Sequence, residues 1–134
     1  MGYGYGYGYG YFGYYFQYLI FMLPAIILVI WAQWLVKSRY KKYSGITTSL
    51  RVTGKEMAER ILKANGINDV SIARISGQMT DNFNPKAGTI FLSDGVYDST
   101  SIAAVGIAAH EAGHAVQHAA GYFPIKVRTA IVPV

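Results

Sequence analysis

The stretch Ser99-Thr100-Ser101-Ile102-Ala103-Ala104-Val105-Gly106-Ile107-Ala108-Ala109-His110-Glu111-Ala112-Gly113-His114-Ala115-Val116-Gln117-His118 organises the reading of the whole chain. Its alanine-rich run favours a helix. Asp98 or Ser99 is a good N-cap, and Gly121, with Pro124 shortly beyond, is a stop signal. Because the run is apolar and small, the helix is expected to be buried. Inside it, His110-Glu111-Ala112-Gly113-His114 has the form H-E-x-x-H. Residues four apart share one face of a helix, so His110 and His114 can grip one metal ion. Glu111 follows the first of them and can reach a water on the same ion, whose pKa zinc lowers and whose proton a nearby carboxylate can take. A helix that merely carries two histidines and a glutamate is the plain alternative. It fits poorly with a buried setting, where the polar groups would go unpaired.

A catalytic zinc ordinarily has three protein ligands and a water. His118 is one candidate for the third, but it lies eight residues from His110, roughly 12 Å along a straight helix. Zn–N bonds of about 2 Å do not close that gap easily. The motifs with a true third histidine use a glycine turn and a longer spacing, whereas Gln117 and His118 here continue the helix. A supporting or plain helical role suits His118 better. The alternative is a carboxylate. The chain has seven acids, Glu56, Glu59, Asp69, Asp81, Asp94, Asp98 and Glu111, and none follows Glu111. Asp81, Asp94 and Asp98 are upstream candidates that spacing does not separate. The chain runs out on the apolar Ile131-Val132-Pro133-Val134, so it is expected to be a fragment whose third ligand lies beyond it.

Away from the motif, residues 1–17 are rich in glycine and tyrosine, with a Gly-Tyr alternation from Gly2 to Tyr11. Glycine is entropically costly to order and tyrosine alone builds no core, so a disordered tail is expected. Tyr14, Tyr15 and Tyr18 would also suit a membrane-interface belt. Residues 18–36 form a run of 19 without a charge, containing Pro24 and ending near Trp31 and Trp34. That is the length of a membrane-spanning helix, it lacks the charged start and small-residue cleavage site of a signal peptide, and the rest of the chain is too small to bury it. Residues 37–52 read as a basic juxtamembrane linker. Its Lys37, Arg39, Lys41 and Lys42 supply most of the net charge of +5 and place this flank on the cytoplasmic side, with the N-terminus outside. Basicity confined to the membrane edge argues against a nucleic-acid partner. The absence of cysteine fits a reducing compartment.

Residues 53–134 remain as the candidate catalytic domain. Thr53-Gly54-Lys55-Glu56 reads as a capping box, followed by Met57, Ala58, Ile61 and Leu62 at helical spacing and an Asn65-Gly66 stop. Val70 to Ile75 alternates like a half-buried strand, residues 81–88 read as a turn, and Thr89 to Leu92 as a second short strand pairing with the first. The fold class is therefore α+β: a transmembrane helix, then a small zincin-like minidomain of helix, two short strands and the H-E-x-x-H helix. The strand Thr89–Leu92 is the candidate edge for holding a peptide by β-augmentation.

These features resemble one family in combination: the apolar span ending Trp31-Ala32-Gln33-Trp34 with its basic flank, Thr53-Gly54-Lys55-Glu56-Met57-Ala58, Ile61-Leu62-Lys63-Ala64-Asn65-Gly66, Leu92-Ser93 with Val96-Tyr97, and Ala108 to Ala119 around the motif. Together they resemble the YugP-type neutral zinc metallopeptidases, small prokaryotic membrane proteins, over residues 18–134. The resemblance implies Zn²⁺, peptide-bond hydrolysis and a membrane location, with His110 and His114 as metal ligands and Glu111 as base. Where the family turn reads Asp-His-Tyr-Asp-Pro, this chain has Asp81-Asn82-Phe83-Asn84-Pro85. Family members continue into further hydrophobic segments. The leading expectation is thus a membrane-anchored zinc metalloendopeptidase of the cell membrane, acting on peptide or protein substrates from the cytoplasmic face. The alternative is a membrane-tethered binding or scaffold module with an inactive or structural zinc site. The oligomeric state is not legible.

Overall fold

The structure, a computed structural model, describes residues 8–131. It divides the chain into two compact units with their boundary between Tyr40 and Lys41. The first unit is built on α1 (Gly8–Ser44), a helix of 37 residues containing Pro24. Its large apolar side chains from Leu19 to Trp34 are exposed. Helix α1 is long and apolar enough to cross a bilayer. It begins inside the Gly-Tyr stretch of residues 1–12 expected to be disordered, so residues 8–12 are helical; residues 1–7 lie outside the described residues. Propagating an existing helix avoids the cost of nucleation, and side chains four apart then meet. The Tyr14 and Tyr18 hydroxyls are 2.7 Å apart and their rings cross edge to face at 4.7 Å.

The second unit is α+β. Its elements are α2 (Gly54–Ala64), β1 (Ser71–Ile75), β2 (Asn82–Asn84), β3 (Thr89–Ser93), α3 (Asp94–Tyr97), α4 (Ile102–Ala119) and α5 (Phe123–Ile131). The capping box forms as expected: Thr53 Oγ1 accepts from Glu56 N at 3.2 Å and Glu56 Oε2 accepts from Thr53 N at 2.8 Å. Gly66, at φ +70°, follows the end of α2. The basic linker is less independent than its composition implies. Helix α1 runs on to Ser44, and the segment after it docks on the start of α4. Thr47 bridges Ser101, Ile102 N donates to Ile46 O at 2.8 Å, and Val52 is buried.

The sheet has three strands in the order β1-β3-β2, not two. Strand β1 pairs with β3 in parallel, and β2 pairs with it antiparallel through Asn82–Phe91, Phe83–Ile90 and Asn84–Thr89. The turn-rich composition of residues 81–88 hides β2, because only three residues pair before Asn84 Oδ1 accepts from Lys86 N and Ala87 N at 3.0 Å and turns the chain. The extra strand displaces Thr89–Leu92 from the expected edge to the centre, so β3 is not free to accept a peptide.

One core joins the layers: Ala58 and Leu62 of α2, Ile90 and Leu92 of β3, Val96 of α3, and Ala104, Ala108, Ala112 and Ala115 of α4. The alanine stripe lets α2 and α4 approach closely. A Cβ at Gly54 would overlap the Val96 carbonyl oxygen and come within 3.0 Å of Val96 Cγ1, so glycine is required where α2 starts.

Candidate metal centre

Helix α4 is fixed at both ends. The N-cap is Ser101, two or three residues later than expected, and its Oγ accepts from Ala104 N at 3.2 Å. Asp98 instead closes α3 with helical backbone angles (φ −101°, ψ −1°), which an N-cap does not adopt. At the other end, Gly121 (φ +66°) donates to His118 O and Tyr122 N donates to Gln117 O, each at 3.0 Å. This is a complete Schellman closure, and Gly121 stops the helix as expected. The helix also runs straight on from His114 through Gln117 and His118, with no glycine turn between them.

Burial follows the helical period. Ala104, Ala108, Ala112 and Ala115 face the core, while His110 is exposed and Glu111 and His114 are half-buried. The expectation of a buried helix therefore holds for one face only. The polar cluster sits on the open face, where small external groups have access.

On that face the two imidazoles converge. His110 Nε2 and His114 Nε2 are 3.1 Å apart, with ring centroids at 4.5 Å and planes crossed at 78°. Two bonds of about 2 Å at a tetrahedral metal place their nitrogens roughly 3.3 Å apart. The pair therefore fits two adjacent corners of a zinc site. His114 Nδ1 lies 3.4 Å from Gln117 Oε1, on the side of the ring away from His110. Glu111 follows His110 in α4, and its carboxylate has no hydrogen-bond or ion-pair partner among the described residues.

The structure does not bring His118 to this pair. Its ring packs edge to face on Phe83 of β2, with centroids 5.8 Å apart. The upstream carboxylates are also committed elsewhere. Asp81 accepts from Ser93 N at 2.7 Å and from Ser93 Oγ at 3.0 and 3.1 Å, which ties β2 to the end of β3. Asp94 and Asp98 both hold Arg74, whose guanidinium stacks 4.7 Å from the Tyr97 ring centroid. The hydrogen bond to Asp98 is the main cause holding the Arg74 guanidinium above its usual pKa. Among the described residues no group of three or more His, Cys, Asp or Glu side chains could hold a metal ion.

Two participants escaped the sequence reading. Gln117 is marked only by its place three residues after His114. Phe83 stands in the short alternation Asn82-Phe83-Asn84, a strand signal obscured by Pro85 immediately after it.

The profile of a family described as "Putative neutral zinc metallopeptidase" matches residues 18–134. The chain is 40% identical over 117 residues to a protein of Bacillus subtilis (strain 168) named "Putative membrane protease YugP". That alignment takes in 87% of this chain and 52% of the relative, so the chain spans about half the relative's length. No solved structure matches. On the strength of the family match and the identity, the chain belongs to the neutral zinc metallopeptidase family.

Proposed function

We propose that this chain is the membrane-anchored, metal-binding part of a zinc-dependent endopeptidase. The observation that carries the reading is the 3.1 Å approach of His110 Nε2 and His114 Nε2 on the helix that also carries Glu111. His110 and His114 hold the Zn²⁺. Bound zinc supplies a Lewis acid for the scissile carbonyl and lowers the pKa of a water. Glu111 takes the proton of the attacking water and delivers it to the leaving amine. Among the described residues no partner holds either oxygen of the Glu111 carboxylate. The zincin-like character of the minidomain belongs to the same proposal. It rests on a sheet lying beside the metal-binding helix.

A peptide substrate needs an anchor, and β2 is the strand suited to it. Among the described strands β2 is an edge, it packs along α4, and Phe83 carries contact as far as His118. The bilayer partner is α1. The proposed orientation, with the N-terminus outside and the second unit in the cytoplasm, rests on Lys37, Arg39, Lys41 and Lys42 together with the absence of any acid before Glu56. The chain has no cysteine, so Ser49→Cys gives a single reporter of sidedness. Labelling of intact cells by a membrane-impermeant maleimide would reverse the orientation.

The function is tested by incubating the purified protein with an unfolded protein substrate. Cleavage should stop on chelation and return on adding zinc. Cleavage that survives complete metal removal would reject the mechanism. A second reading, a tethered binding module whose zinc is structural, is favoured by the lack of a three-ligand cluster among the described residues. It predicts bound zinc with no cleavage of any unfolded substrate.

A further inference from the structure

We infer that Gln117 is the positioning residue of the metal centre: its side-chain carbonyl accepts the Nδ1–H of His114, so that the Nε2 lone pair of His114 faces the metal beside Nε2 of His110. The inference rests on the zinc reading above and adds to it the group that supports the ligand's metal-binding tautomer.

The geometry points to Gln117 for three reasons. First, His110, His114 and Gln117 are spaced four and three apart, so they line one stripe of α4. Second, Gln117 Oε1 stands 3.4 Å from His114 Nδ1 while the other nitrogen of the same ring stands 3.1 Å from His110 Nε2. A neutral imidazole carries one proton, so an acceptor held at Nδ1 leaves Nε2 bare. Third, the Gln117 backbone is immobilised, because its carbonyl oxygen closes the Schellman motif with Tyr122 N at 3.0 Å. The side chain therefore starts from a fixed Cα rather than from a fraying helix end.

The alternatives for this role are excluded by their contacts. His118 is turned onto Phe83, and Asp81, Asp94 and Asp98 are bound to Ser93 and Arg74. An amide also has a property that a carboxylate lacks. With its NH₂ turned toward the ring, Gln117 donates to Nδ1 and stabilises the opposite tautomer, in which His114 Nε2–H donates to His110 Nε2. Gln117 thus satisfies His114 in both the metal-free and the metal-bound state. Without the amide, the metal-bound tautomer loses its support, and partners of this kind contribute roughly 10- to 100-fold in metal affinity.

The test is zinc affinity of the full chain by chelator competition, for the wild type, Gln117→Leu and Gln117→Glu. Helical content is followed by circular dichroism and the His114 tautomer by ¹⁵N NMR of the imidazoles. Gln117→Leu should bind zinc about 10- to 100-fold more weakly with unchanged helicity, and in its metal-free form the Nδ1-protonated fraction of His114 should fall below that of wild type. Gln117→Glu, which keeps an acceptor at the same place, should bind at least as tightly as wild type. Wild-type affinity in Gln117→Leu, or equal weakening in both variants, overturns the inference while leaving the metal site standing. A wild-type chain that takes up no zinc at all overturns the metal reading, and this inference with it.

Discussion

The two faces of α4 are made of different materials and answer to different demands. The inner face is a row of alanines, Ala104, Ala108, Ala112 and Ala115, each nearly or fully inaccessible to solvent. Every group on it is satisfied, by packing against α2 and β3. The outer face carries His110, Glu111 and His114, with two ring nitrogens aimed at one point and a carboxylate that has no partner among the described residues. The contrast shows how a small domain positions chemistry. Small side chains on one face bring the helix close to its support, and the rigidity gained there fixes the direction of the polar groups on the other. The cluster of Arg74, Asp94, Asp98 and Tyr97 makes the same point from another side. Both its carboxylates are engaged by the one guanidinium, so it ties β1 to α3 at the surface.

If the faces are separable, changes on the outer one should remove activity and spare the fold. Glu111→Gln is expected to lower turnover by about 10²- to 10⁴-fold, the usual contribution of a positioned acid–base group. Zinc content and thermal midpoint should be unchanged. Residual activity equal to wild type would remove Glu111 from the mechanism.

Changes on the inner face should do the reverse. Ala108→Leu forces extra methylenes into a fully buried position against α2 and should cost about 1–3 kcal/mol, measured by urea unfolding. Gly54→Ala belongs to the same class, because its Cβ meets backbone rather than a movable side chain. A thermal midpoint as high as that of wild type would show that the packing of α2 against α3 and α4 is looser than described.

Two smaller effects sharpen the comparison at its margins. Thr53→Ala removes one half of the capping box at the start of α2, the helix that supports α4, and should cost about 1 kcal/mol. Gly106 lies on the exposed side of α4 with nothing within 4 Å of an added Cβ. Gly106→Ala should therefore stabilise the domain by roughly 0.5–1 kcal/mol through helix propensity alone. A destabilised Gly106→Ala would reveal a neighbour on the open face.

Much of this arrangement is legible in the sequence because it is local. The capping box of α2, the stop at Asn65-Gly66, the H-E-x-x-H spacing and the Gly121 stop are all set by residues within one or two turns of each other. The parts that were missed depend on distant partners. Strand β2 exists because Phe83 and its neighbours pair with β3 and Asp81 ties to Ser93, contacts that no local pattern in a Pro- and Asn-rich segment announces. The later start of α4 follows from Asp98 closing the short α3, which leaves Ser101 as the cap. The half-open setting of the histidines was obscured because alanine is compatible with either face, and only the packing of α2 decides which side is covered. His118 illustrates the limit in the other direction. Spacing alone argued against its joining the pair, and the structure supplies the reason for its place, an aromatic contact with Phe83.

The central claim is that the outer face of α4 is a zinc site, and metal stoichiometry tests it most directly. The purified full chain should carry close to one zinc per chain by elemental mass spectrometry, and His110→Ala and His114→Ala should each lose it while retaining wild-type helical content. Zinc that persists undiminished in both variants, or a wild-type chain that stays metal-free in excess zinc, would contradict the account.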